Sequence, residues 1–237
     1  MAETLSVPSR FNGPLESGQG GYSSALLAAR VDQPAEVTLR SPVPLDTPLE
    51  VRRENGAARL LDGETLIAEA EAAADLDLDV PEPVGVDEAR AAAGRYRGAD
   101  EGVFSHCFVC GPARDDAFGV FAGDVEGRDL VASPWTPPAW TADESGRVPP
   151  EFVWAVMDCP TYFAVYPGSD LPMSFLGRMA ARIDAPVTAG EEHVVIAWPI
   201  SAEGRKRQAG AALLSGGGDV LAVARALMIE PREGSET

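Results

Sequence analysis

Gln19-Gly20-Gly21-Tyr22-Ser23-Ser24-Ala25-Leu26-Leu27-Ala28 is the first of two similar stretches in this chain. The second is Pro149-Pro150-Glu151-Phe152-Val153-Trp154-Ala155-Val156-Met157-Asp158. Each reads as the start of an apolar helix. When the two are aligned without a gap, the glycine pair occurs only in the first stretch and the carboxylate of Asp158 only in the second. This complementary loss predicts one composite active site between two related halves.

Two further pairs of segments indicate an internal duplication. Ser41-Pro42-Val43 corresponds to Ala185-Pro186-Val187, and Leu60-Leu61-Asp62-Gly63 corresponds to Leu213-Leu214-Ser215-Gly216. In each half a helix, at about residues 18–31 and 150–166, precedes segments rich in β-branched and apolar residues. An acidic stretch with a short helix-like run lies between the halves. We therefore predict a first half over residues 1–72, a connector over 73–103 and a second half over 104–237.

The second helix has the clearest apolar pattern. Spacings of four and three place one set of side chains on a single face, namely Phe152, Val156, Cys159, Phe163 and Tyr166. A helix this apolar needs a sheet wrapped around it. Pro160 lacks a backbone N–H and crowds the carbonyl of Val156, so the sequence also predicts a kink or break just after Asp158.

Length and charge exclude several classes of protein. A chain of 237 residues with 45% hydrophobic content can bury a sizeable core. Its net charge of −18 disfavours nucleic acid and anionic membranes as partners. No apolar run approaches the roughly 20 residues that span a bilayer, and the first residues lack a signal-peptide pattern. We therefore expect a cytoplasmic protein, and the excess of arginine over a single lysine is typical of a GC-rich bacterial genome.

Cysteine and histidine are scarce. Three cysteines, Cys107, Cys110 and Cys159, make an odd number, so we expect reduced thiols rather than a disulfide framework. Cys107 and Cys110, preceded by His106, have a metal-like spacing, but no second pair completes a tetrahedral set, and we expect no metal. Neither His106 nor His193 has a partner visible in the sequence for a Ser-His-Asp triad.

The repeated pattern resembles a known family. A helix followed by an antiparallel sheet, given twice, with a Gly-Gly helix start and a carboxylate further along, resembles the double hotdog arrangement of acyl thioesterases. Many members carry His-Gly-Gly, four free positions, Leu, one free position and Asp. In the first half Gln19 replaces the His, Gly20, Gly21 and Leu26 match, and Ala28 replaces the Asp.

The second half keeps the other end of that motif. Val156 and Asp158 match, whereas Pro149-Pro150-Glu151 stands in place of His-Gly-Gly. Cys107-Phe108-Val109-Cys110-Gly111-Pro112, followed by Phe118-Gly119-Val120, also resembles the lead-in of bacterial thioesterase-like proteins of this fold. The resemblance covers most of residues 10–72 and 104–230. It implies an α+β fold, a tandem hotdog in which each half is a long helix wrapped by an antiparallel sheet.

The resemblance also implies roles for the paired residues. Thioester hydrolysis places negative charge on a carbonyl oxygen, which unpaired N–H groups at a helix start stabilise. Gly20 and Gly21 are the expected oxyanion donors, and Gln19 adds a side-chain donor. Asp158 is the expected base or nucleophile, supplied from the opposing half. Pro149 and Pro150 have no N–H to donate, so we expect the second helix start to be a poor oxyanion site.

Other candidates concern substrate binding. Ser23 and Ser24 lie one turn inside the first helix, where a hydroxyl could orient water or simply pack. Arg205-Lys206-Arg207, the only dense basic cluster, suits coenzyme A phosphates or an acidic carrier protein, and equally suits a solvated turn. Aromatic residues could line an acyl pocket or fill the core, namely Trp135, Trp140, Trp154, Tyr162 and Phe163.

These expectations lead to a thioesterase that hydrolyses an acyl-CoA or acyl-carrier-protein thioester at a composite site. Coenzyme A enters as part of the substrate, and no separate cofactor is expected. A non-catalytic acyl-binding or scaffold protein of the same fold is the first alternative, and a hydratase or dehydratase is the second. Acyl chain, carrier, pathway and assembly, including a homodimer of double hotdogs, are left open by the sequence.

Overall fold

The computed structural model describes residues 3–74, 76–98, 101–168 and 171–232. The helices are α1, Gly20–Ala28, α2, Val86–Ala93, and α3, Pro150–Val165. The strands are β1, Glu3–Leu5, β2, Ala35–Leu39, β3, Leu49–Glu54, β4, Ala57–Asp62, β5, Thr65–Ala72, β6, Gly123–Asp124, β7, Val131–Trp135, β8, Phe175–Ile183, β9, His193–Glu203, β10, Lys206–Ser215, and β11, Val220–Ile229. None of the helices in these described ranges has the length and hydropathy needed to cross a bilayer.

One antiparallel sheet of 11 strands runs through both halves, in the order β1-β3-β4-β5-β2-β8-β11-β10-β9-β7-β6. Apart from β6, the order reads the same from either end, with β2 and β8 as the central pair. Glu36 in β2 lies opposite Ala180 in β8. These two residues have the same separation along the chain as Ser41 and Ala185. A pseudo-two-fold axis therefore passes between equivalent residues at the centre of the sheet.

The two halves share local hydrogen bonds at matching positions. Gly18 donates its N–H to the carbonyl of Val43 at 2.9 Å, and Val148 donates to Val187 at 2.8 Å. The strand register shifts between Leu60 and Leu61 where β4 meets β5, and again at the matching Leu213–Leu214 step where β10 meets β11. A β-bulge is a specific local distortion of a strand. Its occurrence at matching positions is therefore not explained by similar amino-acid composition.

Helices α1 and α3 pack against each other under the sheet. Their third residues, Tyr22 and Phe152, meet with ring centroids 5.6 Å apart. The single apolar face predicted for α3 was too narrow, because its remaining sides are also buried, for example at Trp154 and Met157. Of the predicted kink or break after Asp158, the break is absent, since α3 continues through Pro160 to its end at Val165. Burial on every side holds the helix together despite the lost hydrogen bond.

The connector contributes to a second core. On β9, Val195 and Ala197 face α3, whereas Val194 and Ile196 face the opposite side of the sheet. That opposite side is covered by the connector through a group of buried residues, Leu76, Val84, Ala89 and Ala92. Alternation along the strand therefore gives the sheet of the second half two buried faces. Asp75, Ala99 and Asp100 of the predicted connector lie outside the described residues.

Candidate functional site

Gln19 links the start of α1 to α3. As the residue that caps α1, it accepts the N–H of Tyr22 on its side-chain Oε1 at 2.7 Å. The same amide then has its Nε2 free to reach the other half, where it donates to Asp158 Oδ2 at 2.6 Å. An ionised Asp cap would satisfy the helix start, but it has no hydrogen to donate across the interface.

Asp158 accepts a second hydrogen bond on the same oxygen. The backbone N–H of Gly21 donates to Oδ2 at 2.8 Å. The aspartate is only 6% exposed, and this burial raises the pKa of its carboxyl to about 7, although the hydrogen bonds from Gly21 and Gln19 oppose the rise. A negative charge on Cys107 acts in the same direction as burial. The carboxyl group is therefore poised to gain or lose a proton near neutral pH.

The glycine pair is required by the close approach of the two helices. A Cβ on Gly21 would lie 2.6 Å from the carbonyl oxygen of Trp154 and 2.8 Å from Cβ of Asp158. A Cβ on Gly20 would lie 2.8 Å from Cδ2 of Leu176 and 3.1 Å from Asp158 Oδ2. The space that these glycines open is thus occupied by the carboxylate and by Leu176. Of the residues predicted for the catalytic site, the structure brings together Gln19, Gly20, Gly21 and Asp158.

The predicted substrate-binding residues are spread more widely. Ser23 and Ser24 are buried, and neither hydroxyl has a hydrogen-bond partner. Trp154 contributes its backbone to the contact with Gly21, while its side chain lies in the core. Tyr162, one turn beyond Asp158 on α3, donates its hydroxyl to the carbonyl of Pro172 at 3.0 Å.

The basic cluster lies at the hairpin between β9 and β10. Arg205 donates to the carbonyl of Glu230 at 2.5 Å, and Arg207 forms an ion pair with the Glu230 carboxylate at 3.2 Å. Lys206 is exposed. The guanidinium of Arg207 also lies 5.8 Å from the centroid of the Tyr166 ring, which sits at the end of α3. The hairpin is therefore near the α3 end rather than beside Asp158.

The matching helix start in the second half has a different form. Pro149 caps α3 without a side-chain hydrogen bond, and Ala28 stands at the position that matches Asp158. A cleft of about 280 Å³ lies beside this helix start. It is lined by Arg147, Val148, Pro150, Val153, Ile183, Asp184, Ala185, Pro186 and Val187. This cleft has no contribution from Asp158 or from the glycine pair.

No protein-family model and no curated protein matches the sequence. Solved structures that match nearly the whole chain include the following two. A conserved protein of unknown function with a hot dog fold from Alicyclobacillus acidocaldarius is 14% identical, with 97% of this chain and 92% of that one covered and a TM-score of 0.59. The tesB protein of Mycobacterium avium subs paratuberculosis is also 14% identical, with 96% and 91% covered and a TM-score of 0.58.

This chain has a double hotdog fold. The α+β tandem architecture predicted from the sequence is therefore confirmed. At this level of identity the similarity establishes the arrangement of helices and strands. In this chain the acid and the glycine pair come from opposite halves of the double hotdog.

The double hotdog also carries a cluster of thiols beside Asp158. The sulfur atoms of Cys107, Cys110 and Cys159 all lie within 4.8 Å of one another. Hydrogen bonds from the Cys110 and Cys159 thiols lower the pKa of the Cys107 thiol well below its usual value, although burial opposes this effect. In the sequence only the Cys107–Cys110 spacing is recognisable, and that pair alone led to the expectation of no metal. The approach of Cys159 to this pair could not be predicted, because Cys159 lies 52 positions from Cys107 along the chain.

Proposed function

We propose that this protein is a thioester hydrolase that cleaves an acyl-CoA or an acyl-carrier-protein thioester between its two halves. One observation carries the proposal. The buried carboxylate of Asp158, on α3, accepts the N–H of Gly21 at 2.8 Å and the side-chain amide of Gln19 at 2.6 Å, both from the start of α1. A carboxylate with a tuned pKa and a set of fixed N–H donors are the two parts that acyl transfer requires.

The hydrogen bond between Gly21 and Asp158 in the substrate-free protein is the one that the substrate must replace. The thioester carbonyl oxygen must take the N–H of Gly21, which Asp158 holds in the resting state. Binding therefore exchanges one acceptor for another at this donor, and the donor is not left unpaired. Having lost a hydrogen bond that favoured its charged form, the carboxylate becomes a stronger base at the same moment.

Asp158 then acts in one of two ways. As a base, it removes a proton from a water molecule that attacks the carbonyl carbon, and the thiolate leaves. As a nucleophile, one of its oxygens attacks that carbon, the thiolate leaves, and water hydrolyses the resulting mixed anhydride. Hydroxylamine added during turnover traps an anhydride as a hydroxamate on Asp158 or on the acyl product. Mass spectrometry of the protein then distinguishes the two routes.

Substrate access runs past Leu176 and along α3. Leu176 covers Gly20, so this side chain has to move before a carbonyl group reaches the helix start. From Asp158, Tyr162 and Tyr166 follow at spacings of four on one side of α3. Arg207 stacks over Tyr166 at the end of that row. We assign the coenzyme A or carrier end of the substrate to this row and to the basic hairpin.

Ser23 and Ser24 have a minor role, which is to hydrogen-bond a water molecule in the site. Both hydroxyls are buried within α1 without a partner, so either has free hydrogen-bonding capacity for a water molecule that enters with the substrate. Trp154 limits the depth of the site through its backbone contact with Gly21. The reaction needs no cofactor beyond the coenzyme A of the substrate, and we place it in a bacterial cytoplasm, where acyl thioesters are made.

A non-catalytic acyl-binding protein is the second candidate. The observation that favours it is the complete packing of Asp158, whose Oδ2 already takes two donors beneath Leu176. A hydratase or dehydratase has less support, because His193 packs beside Trp135 and His106 is exposed on its loop. Neither histidine forms a pair with Asp158 among the hydrogen bonds of the described residues.

The test is a panel of acyl-CoA esters with short, medium, long and aromatic acyl groups. Release of free coenzyme A is followed in the wild-type protein, in Asp158→Asn and in Glu151→Gln as a matched control at the other helix start. We expect wild-type and Glu151→Gln protein to hydrolyse at least one ester and Asp158→Asn to lose that activity. Saturable binding of esters by calorimetry without any hydrolysis would instead establish the acyl-binding alternative.

A further inference from the structure

Three thiols from two separate parts of the chain converge next to the acid. Cys107 and Cys110 lie in the loop before β6, and Cys159 lies on α3, adjacent in sequence to Asp158. All three sulfur atoms are within 4.8 Å of one another, and the Cys107 and Cys159 sulfurs are 3.8 Å apart. The chain has no other cysteine. We refer to Cys107, Cys110 and Cys159 as the thiol cluster.

The spacing of the thiol cluster suits a tetrahedral metal ion. Zinc binds thiolate sulfur at about 2.3 Å, and tetrahedral angles then separate two sulfur ligands by about 3.8 Å. The Cys107–Cys159 distance already has this value. Only small side-chain adjustments would therefore bring the third sulfur to the same separation, since all three are within 4.8 Å.

The loop that carries two of the thiols is held in shape by contacts that do not involve sulfur. Gly111 donates its N–H to the carbonyl of Cys107 at 2.8 Å, and a Cβ at Gly111 would lie 2.5 Å from the Cys107 nitrogen. The hydroxyl of Tyr96 donates to the carbonyl of Cys110 at 2.6 Å. The side chain of Asn12 donates to the carbonyl of His106 at 3.1 Å. A preformed loop lowers the entropic cost of assembling a metal site.

The three thiols of the cluster differ in their exposure. Cys159 is half-buried, whereas Cys107 and Cys110 are buried. The Cys159 side therefore offers the route by which an ion enters the site.

We propose that Cys107, Cys110 and Cys159 bind one thiophilic divalent cation, best matched by zinc, with water at the fourth position. The ion would fasten the Cys107–Cys110 loop to α3 immediately beside Asp158. Three soft thiolate ligands select zinc or a similar metal over magnesium and calcium, which take oxygen ligands. This site is independent of the proposed hydrolysis, because it stands on the sulfur positions alone.

The probe is cobalt(II), added to the reduced, metal-free, full-length protein. We expect a thiolate-to-cobalt charge-transfer absorption that saturates at one equivalent and disappears when zinc displaces the cobalt. Since these are the only three cysteines, the absorption must come from the thiol cluster. Cys107→Ser, Cys110→Ser and Cys159→Ser should each weaken the absorption and the affinity, whereas His106→Ala, beside the cluster, should retain both.

A second measurement does not depend on how the variants fold. Equimolar zinc should raise the melting temperature of the wild-type protein, and a chelator should reverse the rise, because a ligand that binds only the folded state stabilises it. The absence of both the charge-transfer absorption and the thermal shift in folded, reduced protein would overturn the proposal. A mass lower by two hydrogens in protein purified without reductant, with one thiol left to titrate, would also overturn it in favour of a disulfide.

Discussion

The two helix starts of this protein occupy matching positions in the two halves, but they differ in packing, polarity and charge. At the start of α1, Gly21 lets the helices approach until its N–H reaches Asp158 at 2.8 Å. At the start of α3, Glu151 occupies the position that matches Gly21, Ala28 occupies the position that matches Asp158, and a cleft of about 280 Å³ lies alongside. The first start is closed and polar, and the second is open and has no acid.

The difference explains why the two losses go together. A buried carboxylate needs donors close by, because burial without hydrogen bonds is costly. At the start of α3, Glu151 brings a side chain and a negative charge where α1 has Gly21, while Pro149 and Pro150 supply no N–H. An acid at position 28 would therefore be buried with poor partners. When one helix start loses its glycines or the acid opposite it, no hydrogen bond remains that would favour keeping the other part.

The largest expected effect follows removal of the one remaining acid. Asp158→Asn should lower kcat/KM by about 10³-fold or more, because the amide keeps the shape but accepts no proton at neutral pH. Steady-state kinetics with the best ester of the panel measure the effect, and thermal melts check the fold. A further variant, Asp158→Asn combined with Ala28→Asp, should stay inactive because the second helix start lacks suitable donors. Near-wild-type turnover in folded Asp158→Asn would remove Asp158 from the mechanism.

Matched substitutions at the two helix starts should have unequal effects. Gly21→Val places a side chain where a Cβ would meet the Trp154 carbonyl at 2.6 Å. We expect a loss of stability of about 1–3 kcal/mol, as for other overpacked sites, together with loss of turnover. Glu151→Val should change both much less, because a side chain already stands there. Denaturant unfolding and kinetics on both proteins test this, and equal losses would contradict a single composite site.

The raised pKa of Asp158 predicts how activity varies with pH. The base must be deprotonated, so kcat/KM should rise about tenfold per pH unit below a pKa of about 7 and level off above it. The profile is best measured on chelator-treated protein, so that an ion at the thiol cluster does not alter the charge nearby. A flat profile from pH 5 to pH 9 would exclude Asp158 as the titrating group.

Stability should vary with pH in the opposite sense. The folded pKa, about 7, lies above the ordinary value of 3.8. As the pH rises through this interval, the unfolded chain releases the proton before the folded protein does, so the contribution of this group to stability falls and is then constant above the folded pKa. The difference in unfolding free energy between Asp158→Asn and wild-type protein isolates this contribution. It should shift in favour of the variant as the pH rises towards 7.

The smallest expected difference concerns the number of acyl-CoA analogue molecules bound per chain, which is one for a single composite site and two for equivalent halves. Only one helix start has both the donors and the acid, so a non-hydrolysable acyl-CoA analogue should bind at one productive site per chain. Calorimetric titration gives this number directly. Gly21→Val should remove the site, with Glu151→Val as the matched control. Two equivalent sites in the wild-type protein would show that the halves are functionally alike.

Sequence reasoning could reach the fold and the central contact because both rest on repeated local patterns. The paired stretches predicted that Gly20, Gly21 and Asp158 would face one another, and their positions in the structure agree with that expectation. Gln19 was identified as a donor, but its simultaneous capping of α1 depends on side-chain geometry. The cover provided by Leu176 could not be predicted, because β8 reaches Gly20 only through the tertiary packing of the halves.

The α3 helix and the thiol cluster also depend on tertiary packing, which sequence patterns do not predict. A spacing rule predicts which residues share a face, but it does not say how many faces a sheet and a second helix will cover. Pro160 predicts a lost hydrogen bond, whereas the helix continues because packing on all sides outweighs it. Folding brings Cys159 next to Cys107 and Cys110, and no spacing in the sequence indicates that the three thiols meet.

The pairing of Glu36 with Ala180, at the centre of the continuous sheet, joins what would be two subunits in a protein with unfused halves. Because one chain supplies both, the partner is always present at a high effective concentration, and assembly of the site does not depend on dilution. Specific activity is therefore expected to be constant down to enzyme concentrations at which a dimer of separate halves would dissociate. In a single chain each half also has only one side of the interface to serve, so a substitution in one half need not fit both sides.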